Sequence, residues 1–69
     1  MVSFVFYISY VVYSCPAETD NDGVYYESVV GNTTVTRSCP AGKTGQKTRY
    51  CNPNGIWENP IGTCGIWFY

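Results

Sequence analysis

The chain has 69 residues, a formal net charge of −1 at neutral pH and no histidine. This length allows one domain at most, whose apolar core alone would supply only about 3–5 kcal/mol. The near-zero charge excludes a strong field that would draw the chain to nucleic acid or to membrane lipid. With no imidazole, no nucleophile motif and no cofactor motif, we expect neither an enzyme nor a cofactor.

The first fourteen residues form an apolar leader. Residues 2–12 carry no charge and are almost wholly apolar or aromatic, but a helix needs about 20 such residues to span a bilayer. The leader fits a secretory signal peptide with Val12 and Ser14 at positions −3 and −1 of a cleavage site before Cys15. A β-prone strand and a truncated apolar segment are the alternatives.

Four cysteines follow the leader, at Cys15, Cys39, Cys51 and Cys64. An even number of dispersed cysteines in a short chain is typical of a disulfide framework. Zinc ligands usually come in close pairs, whereas the gaps here are 23, 11 and 12 residues, so we expect disulfides and no metal site. Sequence alone leaves three connectivities open.

Short β-strands are expected between turns. Residues 15–23 are rich in turn formers, residues 24–28 and 33–38 are rich in β-formers, and residues 46–51 are expected to return as a third strand after the turn at 40–45. Asn54-Gly55 signals a type I′ hairpin before a short strand at 56–58. The expected fold is a small disulfide-rich all-β domain of short antiparallel strands.

Charges are segregated along the chain. Four of the five acidic residues lie in positions 18–27, and all four cations lie in positions 37–49. We interpret most of them as a solvated surface, because exposed ion pairs are weak. The alternative is that the two stretches pair in the fold. Arg49 is the exception to the solvated interpretation: it precedes Cys51 by two residues and so shares its inward face on a strand.

The cysteines stand in a wider pattern. It comprises Cys15-Pro16, Gly31, Cys39-Pro40, Gly42, Gly45, Arg49-x-Cys51, Gly55-x-Trp57 and Cys64. This pattern resembles the hormone-receptor domain, a small extracellular module of adhesion and secretin-type G-protein-coupled receptors, over residues 15–64. It is also similar, less closely, to sushi (complement control) modules. Those place a longer span between the first two cysteines and favour Gly-Tyr where this chain has Gly42-Lys43.

The resemblance implies a bonding pattern and a central arginine. In both families the first cysteine bonds the third and the second bonds the fourth, which gives Cys15–Cys51 and Cys39–Cys64 here. In the hormone-receptor domain an arginine at the Arg49 position lies between two aromatic rings and meets an aspartate. The residues expected in these roles are Trp57, either Tyr25 or Tyr26 (where the family more often has Trp-Pro), and Asp22.

The function implied by the resemblance is extracellular. We expect residues 15–64 to be a binding or structural module in the ectodomain of an adhesion-type receptor, with 65–69 a truncated tail. Its partners would be a protein or peptide ligand or adjacent receptor domains, not nucleic acid, and a membrane only through a missing downstream segment. Asn32-Thr33-Thr34 is an N-glycosylation sequon that suits a secreted chain. A sushi module of an adhesion or complement-like protein is the alternative.

Overall fold

The computed structural model describes residues 12–66, so most of the leader and the end of the tail lie outside the described residues. Among residues 12–66 there is no helix, and hence none that is long and apolar enough to cross a membrane. The strands are β1 (Ser14–Cys15), β2 (Glu18–Thr19), β3 (Tyr25–Tyr26), β4 (Val29–Val30), β5 (Thr33–Ser38), β6 (Lys43–Thr44), β7 (Gln46–Cys51) and β8 (Gly65–Ile66). The predicted small disulfide-rich all-β fold is confirmed.

The longest ladder joins β5 to β7. The two strands run antiparallel, with Thr33 opposite Cys51 at one end and Ser38 opposite Gln46 at the other. Both strands have the bounds expected from the sequence; β5 begins with four β-branched residues, and β7 returns after the turn at 40–45. The inner face of β5 buries Val35, and the outer face exposes Thr34 and Thr36.

Shorter ladders surround this pair. β1 pairs with β4, β2 with β3 and β6 with β8, each antiparallel and two residues long. The second edge of β7 meets the C-terminal segment through bridges at Thr48–Ile61 and Cys51–Trp57. The strand expected at 24–28 is shortened to β3, and β4 follows beyond it as a separate strand, because β3 pairs with β2 while β4 pairs with β1.

The turn before Trp57 differs from the expected type I′ hairpin. Gly55 N donates to Asn52 O at 2.9 Å, and Gly55 has φ 76°, whereas Asn54 does not have positive φ. A type I turn followed by a left-handed glycine, closed by Asn52 N donating to Ile56 O, is a three-residue hairpin loop. Pro53 explains the difference, since its fixed φ suits the second position of a type I turn.

Two disulfides crosslink the segments that surround a very small core. Cys15 bonds Cys51 and Cys39 bonds Cys64, as expected from the resemblance. Besides cysteine, the buried apolar residues among 12–66 are Val24, Tyr26 and Val35, with Val29, Cys39, Trp57 and Cys64 packed against them. The disulfides span 36 and 25 residues, so each contributes about 3–4 kcal/mol in the chain-entropy model. That contribution is comparable to the whole stability of a small domain.

Candidate functional site

Two cations lie on the inner face of β7. Lys47 and Arg49 are only 7% and 8% exposed, and with Cys51 they share one face because alternate residues of a strand point the same way. Such burial is costly for a cation unless acceptors or aromatic rings surround it. Both cations have such surroundings.

Arg49 lies against two aromatic rings. Its guanidinium carbon is 5.1 Å from the ring centroid of Tyr26 and 5.2 Å from that of Trp57. The two centroids are themselves 5.6 Å apart, and the ring planes are tilted by 50°. The three groups therefore form a triangle. This differs from the expected sandwich, because the rings contact each other and leave no slot between them.

The structure distinguishes the two candidate tyrosines. Tyr26 is fully buried, whereas Tyr25, its neighbour on β3, is 57% exposed and points to the opposite face. Trp57 is half-buried and donates its Nε1–H to the backbone oxygen of Pro16 at 2.6 Å. The aromatic partners of Arg49 are thus held by contacts of their own.

The carboxylate at Arg49 is that of Glu18. Arg49 Nη1 donates to Glu18 Oε2 at 3.0 Å, and its Nε donates to the backbone oxygen of Glu58 at 2.7 Å. The expected partner, Asp22, pairs with Lys47 instead, so that prediction is wrong. Glu18 lies opposite Tyr26 in the β2–β3 ladder, which brings its carboxylate to the guanidinium, whereas Asp22 lies further along, in the turn between those strands.

Asp20 organises the turn between β2 and β3. Its Oδ1 accepts hydrogen bonds from the backbone N–H groups of Asp22 and Val24, and its Oδ2 accepts from the hydroxyl of Tyr26 and the ammonium of Lys47. This carboxylate thus connects the turn, the buried tyrosine and β7.

The network shifts the pKa of three groups. Burial would raise the pKa of Asp20, but the hydrogen bonds from Val24, Tyr26, Lys47 and Asp22 outweigh it and lower the value to about 2. Burial, together with the hydrogen bond to Asp20, raises the pKa of Tyr26 to about 12. The hydrogen bond to Asp22 raises the pKa of Lys47 despite burial. The carboxylate, the phenol and the ammonium therefore all keep their usual charge states near neutral pH.

The acidic and basic stretches are paired. Besides the pairs of Lys47 and Arg49, Arg37 forms a half-exposed salt bridge with Glu27. Treating most of these charges as an unpaired solvated surface is therefore wrong, and the alternative of paired stretches describes the fold. The pairs form because the acidic segment packs against β5 and β7, the two strands that carry Arg37, Lys47 and Arg49.

A polar cleft opens beside these pairs. It has a volume of about 350 Å³ and is lined by Glu18, Thr19, Asp20, Asn21, Asp22, Lys47, Arg49, Asn59 and Pro60. The two cations that line it are buried, whereas the side chains of Glu18 and Asp22 are 47% and 41% exposed. The cleft therefore offers carboxylate oxygens to solvent. This arrangement suits recognition of a group rich in hydrogen-bond donors.

The remaining expected site residues lie elsewhere. Gly55 has positive φ, and a Cβ there would lie 2.9 Å from Cβ of Tyr13, so only glycine fits without displacement. Asn32 is exposed next to β5. Neither residue lines the cleft.

Sequence reasoning missed Glu18, Asp20 and Lys47. The alternation that directed Arg49 inward applies equally to Lys47, two residues earlier on β7. Asp20 begins Asp-Asn-Asp-Gly, a sequence in which the first side chain often accepts from the backbone two residues on. The pairing of Glu18 had no local signal, because it depends on the register between β2 and β3.

No family model, curated protein or solved structure matches the chain.

Proposed function

We propose that the chain is an extracellular binding or structural module of the hormone-receptor-domain type, from the ectodomain of an adhesion-type G-protein-coupled receptor. The observation that carries the proposal is the cluster of Arg49, Tyr26, Trp57 and Glu18 beside the Cys15–Cys51 disulfide. Within that receptor its role is to contact a protein or peptide ligand, or to brace a neighbouring domain.

The cluster supports the proposal because it combines the most specific residues of the resemblance. Arg49 lies two positions before the third cysteine, and Trp57 ends the Gly-x-Trp motif. Both side chains contact the buried ring of Tyr26 on β3. The cluster departs from the family pattern in using Glu18 where an aspartate was expected, which keeps a carboxylate at Arg49 but takes it from β2 and not from the turn that follows β2.

The bonding pattern and the cleft also support an extracellular recognition role. Both disulfides are compatible with an oxidising compartment. The half-exposed carboxylates of Glu18 and Asp22 provide acceptors for a cationic or amide-bearing partner surface. All four cysteines are oxidised, so no thiolate is available as a nucleophile.

A sushi module is the alternative. It shares the order of disulfides, so the bonds of this chain support both proposals equally. The inward Arg49 on the β7 face favours the hormone-receptor type, because Arg-x-Cys belongs to that pattern.

The experiment that tests the proposal is sequencing of the full-length transcript downstream of codon 69. Seven apolar helical segments after the module are the expected result. Tandem four-cysteine repeats would replace the proposal with the sushi alternative. A stop codon directly after Tyr69 in every transcript would overturn both, in favour of a free-standing secreted peptide.

A further inference from the structure

Asn32 occupies an unusual backbone position. It lies between β4 and β5 with φ 65°, in the left-handed region, which asparagine tolerates better than most residues. Its backbone N–H donates to Cys51 O at 2.8 Å, so the conformation is fixed by the strand ends. The side chain is exposed, and its Oδ1 accepts a hydrogen bond from the hydroxyl of Tyr50 at 2.8 Å. The other amide atom, Nδ2, is thereby left as the free end of the group.

The outer face of the β5–β7 ladder begins beside Asn32. Three cross-strand pairs form this face: Thr34 with Tyr50, Thr36 with Thr48, and Ser38 with Gln46. None of the six is charged, five carry a hydroxyl group, and Thr36 and Thr48 are hydrogen-bonded through theirs at 3.1 Å. An aromatic ring beside neutral hydroxyl groups suits a sugar, whose C–H face packs on a ring and whose hydroxyls exchange hydrogen bonds.

We infer that an N-linked glycan on Asn32 lies over this outer face, with its first sugar packed against the ring of Tyr50. The hydrogen bond from Tyr50 to Oδ1 holds the amide beside the ring, so a sugar on Nδ2 begins next to it. The inference requires passage through the secretory pathway, but not that the chain belongs to a receptor.

Transfer of the glycan to Asn32 forms one covalent bond and breaks another. The Nδ2–C1 bond forms while the C1–O bond of a lipid-linked oligosaccharide diphosphate breaks. The diphosphate leaves with the electron pair, and one Nδ2 proton passes to a base of the transferase. Oδ1 of Asn32 is unchanged in this step and still accepts the hydrogen bond from the hydroxyl of Tyr50.

The position of the glycan divides the domain into two faces. Lys47 and Arg49 point from β7 toward the cleft, whereas Thr48 and Tyr50 point to the opposite face. A glycan over Tyr50 therefore covers one face of the β5–β7 ladder and leaves the cleft open. A protein partner is accordingly directed to the cleft side.

The test uses the full 69-residue chain, secreted from eukaryotic cells behind a heterologous leader. Mass spectrometry should find a glycan on Asn32 that is lost in Asn32→Asp and in Thr34→Val. Asn32→Asp suits this position because aspartate also tolerates the left-handed region. In nuclear magnetic resonance spectra, the N-acetyl methyl of the first sugar should shift upfield and show cross-relaxation with the ring of Tyr50.

Two variants separate ring packing from other effects. The upfield shift should disappear in Tyr50→Thr and persist in Tyr25→Thr, which removes an exposed ring from β3. Cross-relaxation in the unsubstituted protein needs no variant and decides the outcome if Tyr50→Thr does not fold. A secreted chain without a glycan at Asn32, or a glycan with neither the shift nor the cross-relaxation, would overturn the inference.

Discussion

Glu18 on β2 accepts a hydrogen bond from Arg49 on β7 at 3.0 Å, although 31 residues separate them in the chain. The contact attaches the first, turn-rich part of the chain to the central strand. The guanidinium of Arg49 also contacts the rings of Tyr26 and Trp57, so this one side chain links β2, β3 and the segment that carries Trp57. Lys47 makes similar long-range contacts to Asp20 and Asp22, and the stability of the domain should depend on these pairs.

Arg49→Ala should destabilise the domain by about 2–4 kcal/mol, because it removes ring packing and leaves the Glu58 oxygen and the Glu18 carboxylate without their donor. Arg49→Lys should recover little of this loss, since an ammonium cannot pack as a plane against the rings. Thermal unfolding of the oxidised protein is the measurement, with a midpoint lowered by at least about 10 °C for Arg49→Ala.

Arg37→Ala is the matched control for this loss. Arg37 is also an arginine in an ion pair, but its side chain is 35% exposed and its partner Glu27 is 42% exposed. Its removal should cost no more than about 1 kcal/mol. Equal, small effects at Arg37 and Arg49 would mean that the aromatic triangle contributes nothing to stability.

Double-mutant cycles should assign the carboxylate partner of Arg49. The cycle of Glu18→Gln with Arg49→Met should give a coupling energy of about 0.5–1 kcal/mol, because the pair is half-exposed. The cycle of Asp22→Asn with Arg49→Met should give a value near zero, since Asp22 pairs with Lys47. The opposite ranking, measured by chemical denaturation, would restore Asp22 to the position expected from the resemblance.

Asp20 should make the domain sensitive to acid in a defined window. Its pKa is lowered from 3.8 to about 2 in the folded protein. A lowered folded pKa contributes stability that is fully present above the unfolded pKa and is lost as the pH falls through the folded one. Thermal midpoints measured from pH 5 to pH 2 should therefore fall. Asp20→Asn should be less stable at pH 5 and show a shallower decline, and a decline of unchanged steepness would contradict this role.

The disulfides should map to two pairs of peptides. Trypsin alone leaves Cys51 and Cys64 in one peptide, so a glutamyl endopeptidase is needed to cut after Glu58. Without reduction, the peptide containing Cys15 should be linked to 50–58, and 38–43 to 59–69. A peptide linked through Cys15 and Cys39 would contradict the fold. Under mild reduction, Cys39–Cys64 should open first, because Cys15 and Cys51 are fully buried whereas the other pair is half-buried.

The sequence predicted the parts of the fold that depend on local chemistry. Both six-residue strands have the expected bounds: β5 is rich in β-branched residues, and Gly- and Pro-containing turns delimit the strands. The inward direction of the Arg49 side chain followed from its position two residues before Cys51 on the same strand. The two-residue ladders were not predictable in this way, because each forms only where tertiary closure brings two segments together.

The site was predicted only in part for the same reason. Trp57 and a tyrosine were expected at Arg49, but the choice of Tyr26 depends on which face of β3 turns inward. The exchange of Asp22 for Glu18 depends on the register of β2 against β3. Pro53 was a local signal for a type I turn, and its fixed φ decides the turn type over the type I′ preference of the Asn54-Gly55 pair.

The order of the disulfides has a topological consequence. The two crosslinks interleave along the chain, since Cys39 lies inside the Cys15–Cys51 loop and Cys64 lies beyond it. A single cut in any peptide bond between Cys15 and Cys64 therefore leaves two pieces that are still joined by at least one disulfide. Sequential pairing of the four cysteines would lack this property, because a cut between Cys39 and Cys51 would then separate the two pieces. A protease that nicks one loop does not release a fragment, so the domain can lose the continuity of its backbone and remain one molecule.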